Sequence, residues 1–208
     1  MRLLPLVLSA DASFWRGDAD AAGRRERKPP RIDAPCRFCG WNAAGWRGSA
    51  HPNGDSPEDD VVACVLCNLV LHLERPQIDA EAVLIWLPEM SQAAIVALTR
   101  RIHLVLVAHS EPATMDRRPR RDDPALVAAY SAYRALLSAQ AALAGRLGTT
   151  RPGDVGAVLL GLDPARYARR AALLSGIRLV PLGRVFEDGL DIYPKLLASV
   201  AAEEPARC

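Results

Sequence analysis

Two C-x-x-C pairs in the first third of the chain constrain its fold more than any other feature of the sequence. The first pair is Cys36 and Cys39, within CRFCG, and the second is Cys64 and Cys67, within CVLCN. A C-x-x-C turn places both sulfur atoms on one side of a tight loop, so two turns can supply the four corners of a tetrahedral zinc site. We therefore predict one structural zinc ion bound by these four thiolates.

Other uses of paired cysteines compete with a zinc site. An iron–sulfur cluster also takes four thiolates, and the pattern alone does not separate the two. A thioredoxin-like redox pair is disfavoured, because one pair would suffice and neither pair lies in a βαβ setting. Two buried thiol pairs without a metal would leave the spacing unexplained. For the fifth cysteine, Cys208, we expect no role.

A closed four-thiolate site also restricts the chemistry of the metal. Four thiolates give Zn²⁺ a formal charge of about −2 and leave no open coordination position, so the metal cannot activate water. Any catalysis would have to occur elsewhere in the chain. We therefore expect the zinc ion to stabilise the fold.

The composition is typical of a globular protein. Of the residues, 50% are hydrophobic and 24% are charged. A length of 208 residues is enough for one or two domains with a sizeable core. The net charge of +2 neither requires nor excludes a nucleic-acid partner. No stretch approaches the roughly 20 apolar residues of a membrane helix, and paired cysteines favour metal binding in a cytosolic chain. We expect a cytoplasmic protein without a membrane span.

The pattern of apolar residues predicts an α+β fold. We expect residues 1–80 to contain an N-terminal strand and the zinc module. Residues 81–208 are expected to form a strand and an α-helical region that packs on the first part as one compact unit. The opening MRLLPLVLSADAS resembles a secretory signal, but its apolar run is short and contains Pro5, so we predict a buried strand from Leu3 to Ser9.

Capping residues place the predicted helices. Ser91, Asp123 and Asp163 are predicted N-caps, and proline follows each aspartate at the first helical position. The helix after Asp123 is predicted to end near Gly148, and Gly176 is predicted to end the helix after Asp163. The other predicted elements are a strand over residues 82–87, an extended piece over 177–182 and a last helix over 193–200.

The isolated histidines and tryptophans favour structural roles. His72 is poorly spaced for a fifth metal ligand, and His103 and His109 lie in and near the end of an apolar helix. Trp41 and Trp46 are predicted to cover the zinc-binding turn and not to stack on bases. None of these residues is assigned to a catalytic site.

The region around the cysteine pairs resembles an HNH-type (ββα-metal) module of the four-cysteine kind. The stretch HPNGD, beginning at His51, occupies the place of that family's hairpin histidine and turn. In HNH nucleases this histidine deprotonates water, and a divalent ion stabilises the phosphodiester transition state. The sequence departs from the pattern at two places. Asp59 or Asp60 stands for the family's middle asparagine, and Asn68 stands for its final, metal-binding histidine.

These departures weaken the case for a nuclease. If one survives, the resemblance implies His51 as general base, with Asp60 and Asn68 holding Mg²⁺ or Mn²⁺. Asn68 would bind the ion through an oxygen atom, and more weakly than the histidine of the family binds it through nitrogen. Asp55 and Glu58 add further negative charge, which would repel a phosphate backbone unless a cation were bound.

Over nearly its whole length the sequence resembles the IcmJ/DotN family of the type IVB (Dot/Icm) secretion apparatus. The resemblance rests on the length and on the order of CRFCGW, HPNGD, VVACVLC, LIWLPEMSQ and GIRLVPLG. It implies a cytoplasmic zinc protein with an HNH-like core, attached to the type IV coupling-protein complex beside the coupling ATPase. It also implies a role in assembly and recruitment without nuclease activity.

Three hypotheses of different classes follow. The first, which we favour, is a non-catalytic zinc-stabilised adaptor that binds the coupling ATPase and associated subunits at the inner face of the inner membrane. It has no small-molecule substrate. The second is a divergent HNH endonuclease that cleaves DNA. The third is a DNA-binding zinc module without catalysis, which the low net charge and scarce basic clustering disfavour.

Overall fold

The computed structural model describes residues 3–11, 35–41, 47–50, 61–115, 118 and 123–203. They form a mixture of helices and short strands, as an α+β fold requires. The strands are β1 (Arg47–Ala50), β2 (Val61–Cys64), β3 (Ala82–Trp86), β4 (Ile177–Pro181), β5 (Phe186–Glu187) and β6 (Leu190–Asp191). The helices are α1 (Val65–Leu71), α2 (Ile78–Glu81), α3 (Gln92–Ala108), α4 (Pro124–Ser138), α5 (Gln140–Leu147), α6 (Pro152–Leu160), α7 (Pro164–Ala168), α8 (Arg170–Leu173) and α9 (Tyr193–Glu203).

A hairpin followed at once by a helix carries the second cysteine pair. Strands β1 and β2 pair antiparallel, with Arg47 opposite Cys64. Cys64 ends β2 in an extended conformation and is the N-cap of α1. Helix α1 begins at Val65, so that Cys67 lies within its first turn.

The predicted first strand, from Leu3 to Ser9, is wrong. Residues 3–11 carry no regular secondary structure. Ser9 N donates a hydrogen bond to the carbonyl oxygen of Val70 (3.0 Å), and Leu73 N donates to the carbonyl oxygen of Ser9 (3.0 Å). Val70 lies in the last turn of α1 and Leu73 lies just beyond its C-cap, so the segment bonds the end of a helix and no strand ladder forms. Leu8 is buried, as the apolar character of the segment predicts.

Strands β3 and β4 form a buried antiparallel pair that joins distant parts of the chain. Ala82 lies opposite Pro181 and Trp86 lies opposite Ile177. This confirms both sequence-predicted extended segments. On the other side of β4, the side chain of Gln92 donates from Nε2 to the carbonyl oxygen of Leu179 and accepts from its N–H, both at 2.8 Å. One buried side chain thus satisfies backbone groups that a third strand would otherwise bond.

Gly176 has a different role from the predicted one. Helix α8 ends at Leu173, and its C-cap is Leu174, so Gly176 lies beyond the cap. Its φ of +86° is in the left-handed region, and a Cβ atom at this position would lie 2.6 Å from the ring of Trp86. Glycine is required here because the backbone turns against an aromatic side chain just before β4 begins.

The predicted N-caps are confirmed. Ser91 accepts a hydrogen bond from Ala94 N through its hydroxyl oxygen (3.2 Å). The carboxylate of Asp123 accepts from Ala125 N and Leu126 N, and the carboxylate of Asp163 accepts from Arg166 N. In each case a short polar side chain satisfies backbone donors that the first helical turn leaves unpaired.

The single helix predicted between Asp123 and Gly148 is two helices. Helices α4 and α5 are separated at Ala139, whose carbonyl oxygen accepts a hydrogen bond from Trp86 N (3.3 Å). The break therefore lies where the helix meets the edge of β3. Gly148, with φ of +77°, ends α5 as predicted.

Two clusters of buried side chains make up the core. The larger contains Cys36, Cys64 and Cys67, with the partly exposed Cys39 packed against it, together with side chains from the N-terminal segment, α1, β3, β4, α3 and α9. The smaller lies between α3 and α4, around Tyr133. Among the described residues, no helix combines the length and apolar character that crossing a membrane requires.

Candidate metal centre

The sulfur atoms of the two C-x-x-C pairs converge at one point. The Sγ atoms of Cys36, Cys39, Cys64 and Cys67 all lie within 4.8 Å of one another, and none of these cysteines is in a disulfide. The Sγ atoms of Cys39 and Cys64 are 3.7 Å apart. A tetrahedron with metal–sulfur distances of about 2.3 Å has edges of about 3.8 Å. The four thiols therefore have the spacing of ligands around a single tetrahedral ion.

The first pair is positioned by a tight turn. Cys36 N donates to the carbonyl oxygen of Trp41 (2.8 Å), and Gly40 N donates to the carbonyl oxygen of Cys36 (2.9 Å). Gly40 has a φ of +72°, which lets the chain reverse directly after Cys39. Arg37 N donates to the carbonyl oxygen of Val62 (2.8 Å), and this bond attaches the turn to the hairpin beside Cys64.

The second pair is positioned by the junction of β2 and α1. Cys64 lies at the end of the strand, and Cys67 lies three residues on, in the helix. Residues three apart at a helix start lie on the same face, so both sulfur atoms point to the turn that carries the first pair. Cys36, Cys64 and Cys67 are buried, with 1% exposure or less, and Cys39 is partly exposed.

Mutual contact dominates the acid–base behaviour of the four thiols. Hydrogen bonds from Cys36 and then from Cys64, together with the charge of Arg100, hold the pKa of Cys39 well below the usual thiol value. The pKa values of Cys64 and Cys67 are raised well above that value, first by contact with Cys36 and then with Cys39. Because neighbouring thiolates repel one another, full deprotonation of all four requires a cation between them.

One residue that sequence analysis missed contacts the centre from the helical region. The guanidinium group of Arg100, on α3, donates from Nη1 to the Sγ atom of Cys39 (3.3 Å). The same group lies over the ring of Trp41, 4.0 Å from its centroid. Arg100 is 5% exposed. The sequence offered one indication of this contact. Arg100 lies four residues after Val96 and three before His103, so helical spacing places its charge on an apolar face.

The residues named for a nuclease are only partly described. His51 and Asp60 lie outside the described residues, as do Asp55 and Asp59. Asn68 follows Cys67 in α1, and its buried Oδ1 atom has no hydrogen-bond partner within the described ranges.

The described histidines have structural surroundings. His72 is buried, with its Nδ1 atom 2.9 Å from a carboxylate oxygen of Glu74. His109 is the C-cap of α3, and its Nδ1 atom lies 2.7 Å from the carbonyl oxygen of Val105. Neither belongs to the cysteine cluster. In the part of the chain that the structure describes, no other group of three or more histidine, cysteine or acidic side chains has metal-binding spacing.

In comparisons with known proteins, no family model and no curated protein matches this chain.

Proposed function

We propose that the four cysteines hold one structural zinc ion within an HNH-like ββα module. The observation that carries this proposal is that four sulfur atoms lie within 4.8 Å of one another, three of them on buried cysteines of the larger core cluster. An iron–sulfur cluster places several metal atoms between its thiolates and holds the sulfur atoms farther apart, so the spacing supports a single ion. The order of hairpin β1–β2 and helix α1 supports the module type.

The proposed ion stabilises the protein and takes no part in a reaction. Four protein sulfur atoms complete a tetrahedral shell, and three of them are buried. The ion would link the turn around Cys39 to β2 and α1, which share one backbone hydrogen bond among the described residues, from Arg37 N to the carbonyl oxygen of Val62. Since three of the ligands belong to the larger core cluster, the proposed ion also supports the packing of the N-terminal segment.

Elemental analysis and chelation test the zinc site. We expect about one zinc ion per purified chain, and we expect its removal by a strong chelator to lower the melting temperature and the helical circular dichroism. Chelator already saturated with zinc is the control for non-specific effects. A chain that contains no zinc, or whose melting is unchanged after its zinc is removed, would contradict the proposal.

We further propose that the protein is a non-catalytic adaptor in a type IVB secretion coupling-protein complex. The partner class comes from the resemblance of CRFCGW, HPNGD, VVACVLC, LIWLPEMSQ and GIRLVPLG to the IcmJ/DotN family. A closed metal site and structurally paired histidines agree with a binding role. In this proposal the protein works in the cytoplasm, at the inner face of the inner membrane, and is held there by its partners.

Co-expression with the coupling ATPase and its associated subunits tests the adaptor role. We expect the zinc-loaded chain to co-elute with them in size-exclusion chromatography. A double variant, Cys64→Ser with Cys67→Ser, is expected to lose this co-elution because its fold lacks the metal. Separate elution of the zinc-loaded wild-type chain would count against the proposal.

A divergent HNH endonuclease is the second candidate, and one observation favours it. The Oδ1 atom of Asn68 is buried beside Cys67 without a hydrogen-bond partner among the described residues, and it stands where the HNH family has a metal ligand. Such an oxygen could bind Mg²⁺ or Mn²⁺. In this reading His51 is the general base and Asp60 the other metal-binding residue.

Plasmid cleavage separates the two candidates. The zinc-loaded protein is incubated with supercoiled plasmid and Mg²⁺ or Mn²⁺, beside His51→Ala and Asn68→Ala variants. Cleavage by the wild type that both variants lose would establish the nuclease. The adaptor proposal expects no cleavage above the level of the variants.

A further inference from the structure

Arg100 occupies an unusual position for a charged side chain. It projects from α3 in the helical region, yet its guanidinium group lies between the Sγ atom of Cys39 and the ring of Trp41. Only 5% of the residue is exposed. Sixty-one residues separate Arg100 from Cys39, so this contact is a product of the tertiary fold.

A buried cation needs an anion nearby. Within the described ranges, Arg100 forms no ion pair with a carboxylate, whereas Arg75, whose side chain is 9% exposed, pairs with Glu81 (2.6 Å). Taking a guanidinium out of water without a partner is very costly. The hydrogen-bond acceptor that Arg100 does reach is the sulfur atom of Cys39. That acceptor is strong only as a thiolate, which is the form a bound metal requires.

The same contact reduces the net negative charge of the proposed zinc site. Four thiolates around Zn²⁺ carry a net charge of about −2, and placing that charge in an apolar core is unfavourable. One guanidinium at hydrogen-bond distance halves it. Cys39 is also the partly exposed ligand, so Arg100 and Trp41 cover the corner at which water or a competing chelator would enter.

We propose that Arg100 is the counter-ion of the metal centre and a positioning residue for Cys39, so that docking of α3 stabilises the bound metal. This inference rests on the proposed zinc site. Hydrogen bonds to ligands are established determinants of metal affinity, and removing one typically costs about 10- to 100-fold in affinity. The guanidinium provides both the hydrogen bond and the charge.

The test compares four variants in the full chain loaded with zinc. Arg100→Met removes charge and hydrogen bond, Arg100→Gln keeps a donor without the charge, and Arg100→Lys keeps the charge. Arg101→Met is the matched control, because Arg101 is the next residue of the same helix and is exposed. The rate of zinc transfer to a chromogenic chelator is measured for each.

We expect Arg100→Met to release zinc about 10-fold faster or more, Arg100→Lys to release it more slowly than Arg100→Gln, and Arg101→Met to match the wild type. Replacement by Co²⁺ adds a readout that packing alone would not change. Losing the donor to a thiolate raises the energy of the sulfur electrons, so the sulfur-to-cobalt charge-transfer band of Arg100→Met should shift to longer wavelength.

Equal release rates and equal cobalt spectra for Arg100→Met and Arg101→Met would overturn this inference while leaving the zinc site intact. If Arg100→Met does not fold, the comparison of Arg100→Lys with Arg100→Gln decides, and equal rates would again overturn it. A wild-type chain without zinc would overturn the zinc site itself and this inference with it.

Discussion

The Nδ1 atom of His103 lies 2.9 Å from the hydroxyl oxygen of Tyr193, and both residues are fully buried. The rings of Tyr133 and Tyr193 flank the imidazole edge to face, each with its centroid 5.5 Å away. A protonated imidazole in this aromatic setting would lose its hydration without gaining a carboxylate. Burial accordingly lowers the pKa of His103 to about 3.

This buried histidine predicts that the protein loses stability in mild acid. The unfolded chain binds a proton at His103 with a pKa of about 6.5, whereas the folded chain binds it only near pH 3. Between these values the unfolded state holds more protons, so the free energy of unfolding falls by up to about 1.4 kcal/mol for each unit of decreasing pH. The contribution is complete above about pH 6.5. Urea unfolding at pH 7 and pH 5 measures the slope.

Two variants separate this effect from general acid sensitivity. His103→Phe should reduce the difference in unfolding free energy between pH 7 and pH 5, because the titrating group is gone. Tyr193→Phe should retain the wild-type difference and lose about 1 kcal/mol at both pH values, since it removes the hydrogen bond to His103 and leaves the titrating imidazole in place. Parallel pH profiles for wild type and His103→Phe would rule out His103 as the cause.

The buried ion pair between Arg75 and Glu81 predicts an asymmetric response to mutation. Arg75 donates to both carboxylate oxygens of Glu81, at 2.7 and 2.6 Å, and Glu81 has no exposed surface. Arg75→Met leaves this carboxylate buried without its cation, so we expect a loss of about 3–5 kcal/mol in the free energy of unfolding. Replacing both residues by methionine should cost less than the single change.

An exposed ion pair provides the comparison for this experiment. Arg151 contacts Asp79 at 2.7 Å, but the Arg151 side chain is 68% exposed. Because water screens this pair, Arg151→Met should change the midpoint of urea unfolding far less than Arg75→Met. Similar midpoints for the two variants would show that burial does not determine the strength of these pairs.

Two helical glycines predict stability changes of opposite sign. A Cβ atom at Gly156, in α6, would lie 2.6 Å from the carbonyl oxygen of Leu73, whereas nothing lies within 4 Å of a Cβ atom at Gly145, in α5. Gly156→Ala should lower the free energy of unfolding by about 1–3 kcal/mol through overpacking. Gly145→Ala should raise it by about 0.5–1 kcal/mol, because alanine is the better helix former. Thermal unfolding of both variants checks the signs, and a more stable Gly156→Ala would refute the close approach.

Replacing a single cysteine should lower the zinc content and the melting temperature only if that cysteine is a ligand of the proposed zinc ion. Cys36→Ser removes one corner of the proposed zinc site, so we expect less than one zinc ion per chain and a lower melting temperature. Cys208→Ser is the control, since Cys208 belongs to neither C-x-x-C pair. Elemental analysis beside thermal unfolding measures both effects. Equal zinc content in the two variants would mean that Cys36 is not a ligand.

Features that depend on neighbours along the chain could be predicted from the amino-acid sequence. The two cysteine pairs, the N-caps at Ser91 and Asp163, and the apolar strand at 82–87 were all predicted from local patterns. Such features arise from interactions within a few residues, where spacing in the sequence corresponds directly to spacing in the structure. Local physical chemistry is therefore sufficient to predict them.

Contacts between residues that are far apart in the chain depend on how the whole protein folds, and local patterns did not predict them. Residues 3–9 lie against the end of α1 instead of forming a strand, and the side chain of Gln92 bonds the backbone of Leu179. Arg100 reaches Cys39 across 61 residues. A local pattern reveals that a residue is apolar, charged or able to cap a helix, but the identity of its partner depends on how the whole core packs. The cysteine spacing predicted a metal site, and the fold determined that the guanidinium group of Arg100 lies beside it.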